Sequence, residues 1–485
     1  MELLIILLSL GFLIFFAYRG FSVIIIAPLC ALFAVFFTDP SYVMPFFSNI
    51  FMEKMVGFVK LYFPVFLLGA VFGKVIEMTG IAERIAKIIV RFIGAKQAIL
   101  TVVLMGAILT YSGVSLFVAV FAIYPFAAQL FREANIPKRL IPATIAFSAF
   151  TFSMDAIPGS PQIQNVIPTS FFNTDVYAAP ILGLFGAAFI FASGMLYLES
   201  RRRKAVANGE GYYGIGKNKI SEPTANGELA ATTETVNTQT SSASTAKIEV
   251  KDWLAFLPLV LVGVMNKFFT VNIPRWYANG FDFATIGLND YGSVNMNQQL
   301  AIWSVELALL VGIFTAIALN FQAVKANFQA SLNVGVSGAL LATMNTASEF
   351  GFGGVIAALP GFAVVQNALS TAFTHPLING AVLTNTLAGI TGSGSGGISI
   401  TLGIMAEKYV EAAAAFDIPL EVMHRVMSMA AGGMDTLPHN GAVITLLAVC
   451  GLTHRQAYKD IFVITIIKTL ACFFVIGLYM LTGLV

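Results

Sequence analysis

Charge is what this sequence has least of. Asp, Glu, Lys and Arg make up 11% of its 485 residues, against about 25% in ordinary soluble domains. That deficit excludes a soluble enzyme, a nucleic-acid-binding surface and a disordered scaffold. Cysteine is scarce too. Cys30, Cys450 and Cys472 each sit inside an apolar run, so no disulfide framework or thiolate metal site is expected. There is no Walker-type glycine-rich phosphate loop, no Cys/His metal cluster and no nucleophile–base constellation. ATP-driven pumping, a resident cofactor and hydrolase chemistry therefore have nothing to rest on. No basic residue precedes the apolar Met1–Phe16 and no small-residue cleavage site follows it, so this stretch reads as a first membrane span and not a cleaved leader.

Apolar residues are abundant, at 57% of the chain, and mean hydropathy is +0.82. The apolar segments are continuous and do not alternate, which points to membrane helices and excludes a β-barrel. Full-length spans are expected at Leu3–Ala17, Phe21–Phe37, Met55–Met78, Tyr177–Leu198, Trp253–Phe269, Gln298–Leu319, Phe328–Thr346 and Ile461–Leu481. Gln97–Phe131 and Leu369–Ala415 are equally apolar but break midway, at Tyr111–Gly113 and Thr391–Gly397, and read as re-entrant hairpins. Ile141–Phe172 and Val422–Leu452 break at Asp155–Pro161 and Asp435–Gly441 and read as broken spans. Irregular backbone at membrane depth is tolerated only where it faces protein or a water-filled cavity.

Arg201-Arg202-Arg203-Lys204 opens a polar stretch running to Lys251, expected as a cytoplasmic linker because of its basic start. It divides the chain into 1–200, a linker over 201–252, and 253–485. Working outward from this anchor puts both termini outside. Gly80–Gly94 alternates Ile81, Ile85, Ile88 and Ile89 with Glu83, Arg84, Lys87 and Arg91, the pattern of an amphipathic helix on the inner membrane surface.

The two halves match each other. Phe72–Ile76 reappears as Phe352–Ile356, and Met154–Pro158 as Met434–Pro438, both at an offset of 280; Asn135–Pro137 pairs with Asp417–Pro419. With the orientation above, the hairpins enter from opposite sides. The expected fold is an all-α polytopic membrane protein of two inverted-topology repeats, each with a re-entrant hairpin and a broken helix. Opposed hairpins and broken helices favour a transporter over a channel-like or structural membrane protein.

These residues resemble a known family. Gly69–Ala86, the Ser112-Gly113 break, Asn135–Pro137, Ile157–Pro161, Gly392–Gly397 and His439-Asn440 are similar to the gluconate permease family of the ion transporter superfamily. Ser160–Asn165 is closer to the 3-hydroxybutyrate permease-like branch. The resemblance implies a homodimeric, elevator-type symporter of a small organic anion, such as gluconate or 3-hydroxybutyrate, driven by the proton gradient across a bacterial-type inner membrane. Sodium coupling, found in dicarboxylate relatives of the superfamily, is the alternative.

An organic anion needs donors at mid-membrane, and half-helix N-termini supply them without a buried cation. Ser112, Gly113 and Ser115 at the first tip, and Ser393, Gly394, Ser395, Gly396 and Gly397 at the second, are the candidates. Tyr111 and Thr391 stand beside them. Gly159, Ser160, Gln162, Gln164 and Asn165 in one broken span face His439, Asn440 and Thr445 in the other. Asp155 and Asp435 occupy equivalent places beside the two breaks. A carboxyl removed from water favours its neutral form, which suits a proton carrier; the competing expectation is that each Asp caps the half-helix that follows. His439 is a third proton-coupling candidate. Glu349 is expected to precede an outer Phe350–Gly354 connection and to pair with Arg425, and His424 to mark a membrane boundary.

Overall fold

The computed structural model describes residues 2–19, 21–93, 97–114, 116–214, 252–278, 280–294, 296–362, 364, 373–438 and 440–485. In the first half, α1 (Glu2–Tyr18), α2 (Val23–Thr38) and α3 (Met52–Met78) are followed by the amphipathic α4 (Ile81–Ile93). The first hairpin is α5 (Ala98–Tyr111) and α6 (Leu116–Glu133). The first broken span is α7 (Ile141–Ala149), a helical turn at Phe152–Asp155, and α8 (Ile163–Phe172); α9 (Pro180–Ala207) closes the half. In the second half come α10 (Leu257–Trp276), α11 (Met296–Leu319) and α12 (Phe321–Ala358). The second hairpin is α13 (Pro376–Thr391) and α14 (Gly394–Ala415), the broken span α15 (Leu420–Gly433) and α16 (Gly441–Cys450), and the closing helix α17 (His454–Thr482). Two-residue strands, Phe281–Asp282 and Ser293–Val294, pair antiparallel with Phe281 opposite Val294.

Among the described residues, five helical stretches are long and apolar enough to cross a membrane: Pro40–Met78, Pro180–Ala207, Trp253–Trp276, Gln299–Leu319 and His454–Thr482. Their outer faces expose Leu184, Leu196, Val264 and Leu470, a surface that suits hydrocarbon and not water.

The helices stop at corresponding places because the same backbone device recurs. Gly113 and Gly392 end the first hairpin arms at φ of +89° and +67°. Beyond them Val114 N–H donates to Leu109 O at 3.1 Å, and Ser393 N–H to Ala388 O at 3.2 Å. That pattern satisfies carbonyls the helix end would otherwise orphan. Asn135 and Asp417 end the second arms at φ of +50° and +54°, with Ile136 N–H to Phe131 O and Ile418 N–H to Ala413 O both at 2.8 Å. Asn and Asp tolerate this left-handed region better than other side chains do.

Three expectations need correction. Phe350–Gly354 is no connection: α12 runs unbroken from Phe321 to Ala358. Its glycines are there for contact. A β-carbon on Gly351 would approach Phe51 O to 2.9 Å, and one on Gly354 would approach Lys54 Cγ to 2.6 Å. Close approach of small residues to a neighbouring helix outweighs their weak helix propensity. At the other end of the same pair, a β-carbon on Gly335 would lie 3.2 Å from Lys74 Cγ, so α3 and α12 run antiparallel. Second, Ile81, Ile85, Ile88 and Ile89 of α4 are all buried; the protein, not the lipid surface, covers that face.

Third, the polar linker begins later than its sequence suggests. Helix α9 continues through the arginines to Ala207, and the segment after it is docked. Arg139 donates to Glu210 from Nε at 2.6 Å and Nη2 at 2.8 Å, and from Nη1 to Asp460 at 3.0 Å. Asp460 also accepts from Arg201 at 2.7 Å and Tyr197 at 2.6 Å. Tyr212 is buried, its N–H bound to Asn135 Oδ1 and its carbonyl to Lys138 N–H, each at 3.0 Å. Residues 215–251 lie outside the described residues. The bidentate Arg139 guanidinium holds the Glu210 carboxyl below the usual range. A depressed carboxyl contributes stability that is present above its unfolded value of ~4.3 and is lost as pH falls through the folded one. Glu210→Gln is therefore expected to speed hydrogen exchange at the Tyr212 amide at neutral pH, with wild type and variant converging at acid pH. Equal exchange at neutral pH would mean the segment is held by Tyr212 and its backbone bonds alone.

Candidate functional site

At the first hairpin tip, Ser112 turns its hydroxyl back on its own helix, to Ile108 O at 2.6 Å. The tip is tied instead to the first broken span. Tyr111 donates to Pro158 O at 2.9 Å, and Gln162 Nε2 donates to Thr110 O at 2.7 Å and Val114 O at 3.2 Å. Gly113 allows close approach: a β-carbon there would sit 3.1 Å from both Leu309 Cδ2 and Pro161 Cγ. At the φ of Gly159, +84°, only glycine is unstrained, and Tyr177 and Tyr111 Oη crowd its α-carbon.

At the second tip, Ser393 caps α14 by accepting the Gly396 N–H at 3.0 Å. Ser395 lies 3.2 Å from both Ser393 Oγ and Thr346 Oγ1 of α12. Asn440 Nδ2 donates to Gly392 O at 2.6 Å, while its Oδ1 accepts the N–H groups of Ala442 and Val443 as the N-cap of α16. In each half, then, a side-chain amide from the broken span binds a carbonyl within one residue of the end of the hairpin's first arm. Gln162 does this in one half and Asn440 in the other.

The two aspartates differ. Asp155 is buried, and neither carboxylate oxygen has a hydrogen-bond partner within the protein. Gly432 of α15 packs directly on it, and a β-carbon there would collide with Oδ2. Asp435 is also buried but forms an ion pair with Lys468 of α17, which donates in addition to Phe150 O at 3.2 Å. Neither aspartate is a helix cap. Asp155 ends the Phe152–Asp155 turn, and the N-caps of α8 and α16 are Gln162 and Asn440. The capping expectation fails for both.

Arg425 also departs from expectation. Arg425 does not pair with Glu349. It is fully buried and spends its five N–H donors on Asp155 O and Asn165 Oδ1 at 3.0 Å, Ala178 O at 2.8 and 3.1 Å, and Val176 O at 3.4 Å. His424 is buried between Thr174 Oγ1 at 2.6 Å and Asn165 Oδ1 at 3.2 Å. Asn165 thus serves this cluster: its Nδ2 donates to Ser160 O at 2.9 Å and Val176 O at 2.8 Å. Ser160 donates to Ser153 O at 3.0 Å. Asn165 and Ser160 shape the break, leaving Ser395, Gly394, Gly396, Gln162 and Asn440 at the tips, with Asp435 Oδ2 against Gly394. Ser115 and His439 lie outside the described residues. Lys468 was missed, although a single lysine in the apolar Ile461–Leu481 span is the same kind of signal that singled out the aspartates. Thr346, inside an ordinary-looking span, carried no signal.

The family description "GntP family permease" matches residues 1–213. Over all 485 residues, 100% of both chains, the sequence is 64% identical to a Bacillus subtilis (strain 168) protein named "Uncharacterized transporter YxjC". The chain belongs to the GntP permease family. As a GntP family permease it is a multi-pass membrane transporter. The Alcanivorax borkumensis YdaH transporter, described as having an unusual topology, aligns with a TM-score of 0.54 at 13% identity, covering 91% of this chain and 89% of that one. At that identity the likeness is one of fold.

Proposed function

We propose that the protein is a secondary active symporter of a small organic anion, a hydroxy-carboxylate such as gluconate or 3-hydroxybutyrate, driven by the proton gradient. The observation that carries this reading is the tie between each hairpin tip and the break in its own half, through Gln162 to Thr110 O and Asn440 to Gly392 O. Two half-helix ends held this way offer an anion backbone donors. Ser395, Gly394 and Gly396, with Ser112, Gly113 and Gly159, line the proposed substrate path. Asp155 is the proposed proton carrier, with the Asp435–Lys468 pair beside it.

Residues 1–200 and 253–485 are proposed as inverted repeats. The contact between Lys74 and Gly335 supports this: shifting each residue to its equivalent in the other half, by the sequence offset of 280, predicts a contact of residue 354 with residue 55, and Gly354 packs on Lys54. An elevator motion, a homodimer, an inner-membrane location, external termini and a cytoplasmic linker complete the reading. A thermal-shift panel of gluconate, glycerate, 3-hydroxybutyrate and D-serine tests the substrate class, since a ligand stabilises the state it binds. A rise in melting temperature that Ser395→Phe removes, with the variant's own melting temperature unchanged, is the expected result. Undiminished binding by Ser395→Phe would move the site away from the second tip.

A further inference from the structure

The second tip already holds a carboxylate. Glu349 of α12 is buried. It lies so close to the first turn of α14 that a β-carbon on Gly396 would collide with its Oε2. Ser393, the α14 cap, hydrogen-bonds it, and Oε2 has no hydrogen-bond partner. No ion pair to Glu349 occurs among the described residues. The first half lacks this feature. The residue at the equivalent offset is Gly69, and a β-carbon there would stand 3.7 Å from Gly113 O. One tip stands beside a glycine; the other is filled by a buried acid pointed at a helix N-terminus, where an anion is favoured.

Among the described residues, the other charged groups around this tip are engaged elsewhere or lie away from it. Asp435 faces Gly394 from α15's side, its Oδ2 3.0 Å from where a β-carbon would be, and is bound to Lys468. Arg425 and His424 are committed to the first broken span. Lys54 of α3 packs on Gly354, more than a turn from Glu349, and Glu407 and Lys408 of α14 lie about three turns along from Gly396.

We propose that Glu349 is an internal competitor of the substrate: its carboxylate occupies the α14 N-terminus that the substrate's own carboxylate needs. This rests on the anion-symport reading and adds to it a second proton, distinct from that of Asp155. When the anion arrives, one proton from solution forms an O–H bond on Glu349. The neutral acid releases the turn, and the substrate carboxylate takes its place. The turn faces one negative charge before and after, and no electrons change hands. An ionised Glu349 opposes binding, so affinity falls as pH rises.

The test measures binding of gluconate, glycerate and 3-hydroxybutyrate to the purified full-length protein at alkaline and mildly acid pH, for wild type and Glu349→Gln. Glutamine keeps the side chain's volume but cannot ionise. For whichever probe the wild type binds, the variant is expected to bind about tenfold tighter at alkaline pH, and the two are expected to converge at acid pH. A residue that merely braced α12 would give no gain in affinity. Equal or weaker alkaline binding by Glu349→Gln, in a wild type that binds, overturns the proposal while leaving anion transport standing. If the glutamine variant does not fold, Glu349→Ser repeats the comparison with the same two outcomes. A wild type that binds none of the three probes removes the hydroxy-carboxylate reading and this inference with it.

Discussion

Asp155→Asn is expected to abolish the share of concentrative uptake driven through this residue while leaving exchange of substrate across the membrane intact. One proton per substrate supports about tenfold accumulation per unit of pH gradient, and that tenfold is what the variant should lose. The structure removes the main competing role. Asp155 caps no helix and its carboxylate oxygens accept no hydrogen bond from the protein, so an isosteric amide forfeits no structural contact. Folded abundance should match or exceed wild type, because burying a neutral amide costs less than burying an unpaired carboxylate. Parallel measurement of counterflow and of pH-driven uptake in proteoliposomes checks this. Wild-type accumulation by Asp155→Asn would exclude the residue as a proton carrier. Asp435→Asn would then be the next variant to make, and if it too accumulates like wild type, His439→Gln, since Asp435 and His439 are the other proton-coupling candidates of the broken spans.

The largest stability effect belongs to Arg425. Replacing it with methionine leaves the Ala178 carbonyl without either of its donors, while Asp155 O, Val176 O and Asn165 Oδ1 each lose one donor and keep Ser428, Asn165 with Gly159, and His424 respectively. Each buried acceptor left unpaired costs about 1–3 kcal/mol, and a folded domain holds only ~5–15 kcal/mol in all. Arg425→Met is expected to lower both the melting temperature and the yield of folded protein. Arg425→Lys should recover part of it, because an ammonium has three donors where the guanidinium has five. Size-exclusion profiles of solubilised membranes would report both. A monodisperse Arg425→Met at wild-type melting temperature would show that water replaces the guanidinium and that the first broken span needs no clamp from α15.

Much of the architecture was legible in the sequence because membrane spans and their interruptions are written in composition. Both hairpin breaks and both broken spans fall where glycine, proline and polar residues interrupt apolar runs. Asn135 and Asp417, matched as parts of a repeated motif, turn out to share one left-handed backbone conformation. What stayed hidden depended on tertiary contact. The Phe350–Gly354 run looks like a connection until α3 is seen packed against its glycines. Arg425 looks like a partner for a carboxylate because sequence alone cannot show that backbone carbonyls of the first break converge on it. The same holds for the aspartates. Sequence treats them as equivalents, yet Lys468 reaches only one of them as an ion pair, and that difference makes Asp155 the stronger proton-carrier candidate.

Secondary active transport of an organic anion shows itself as accumulation against a concentration gradient. Purified protein in proteoliposomes, given a proton gradient and radiolabelled gluconate or 3-hydroxybutyrate without sodium, should concentrate one of them inside, and a protonophore should collapse the gradient of substrate. Uptake that stops at equal concentrations on both sides would contradict the account in favour of a channel. Accumulation that requires sodium and ignores the protonophore would contradict proton coupling.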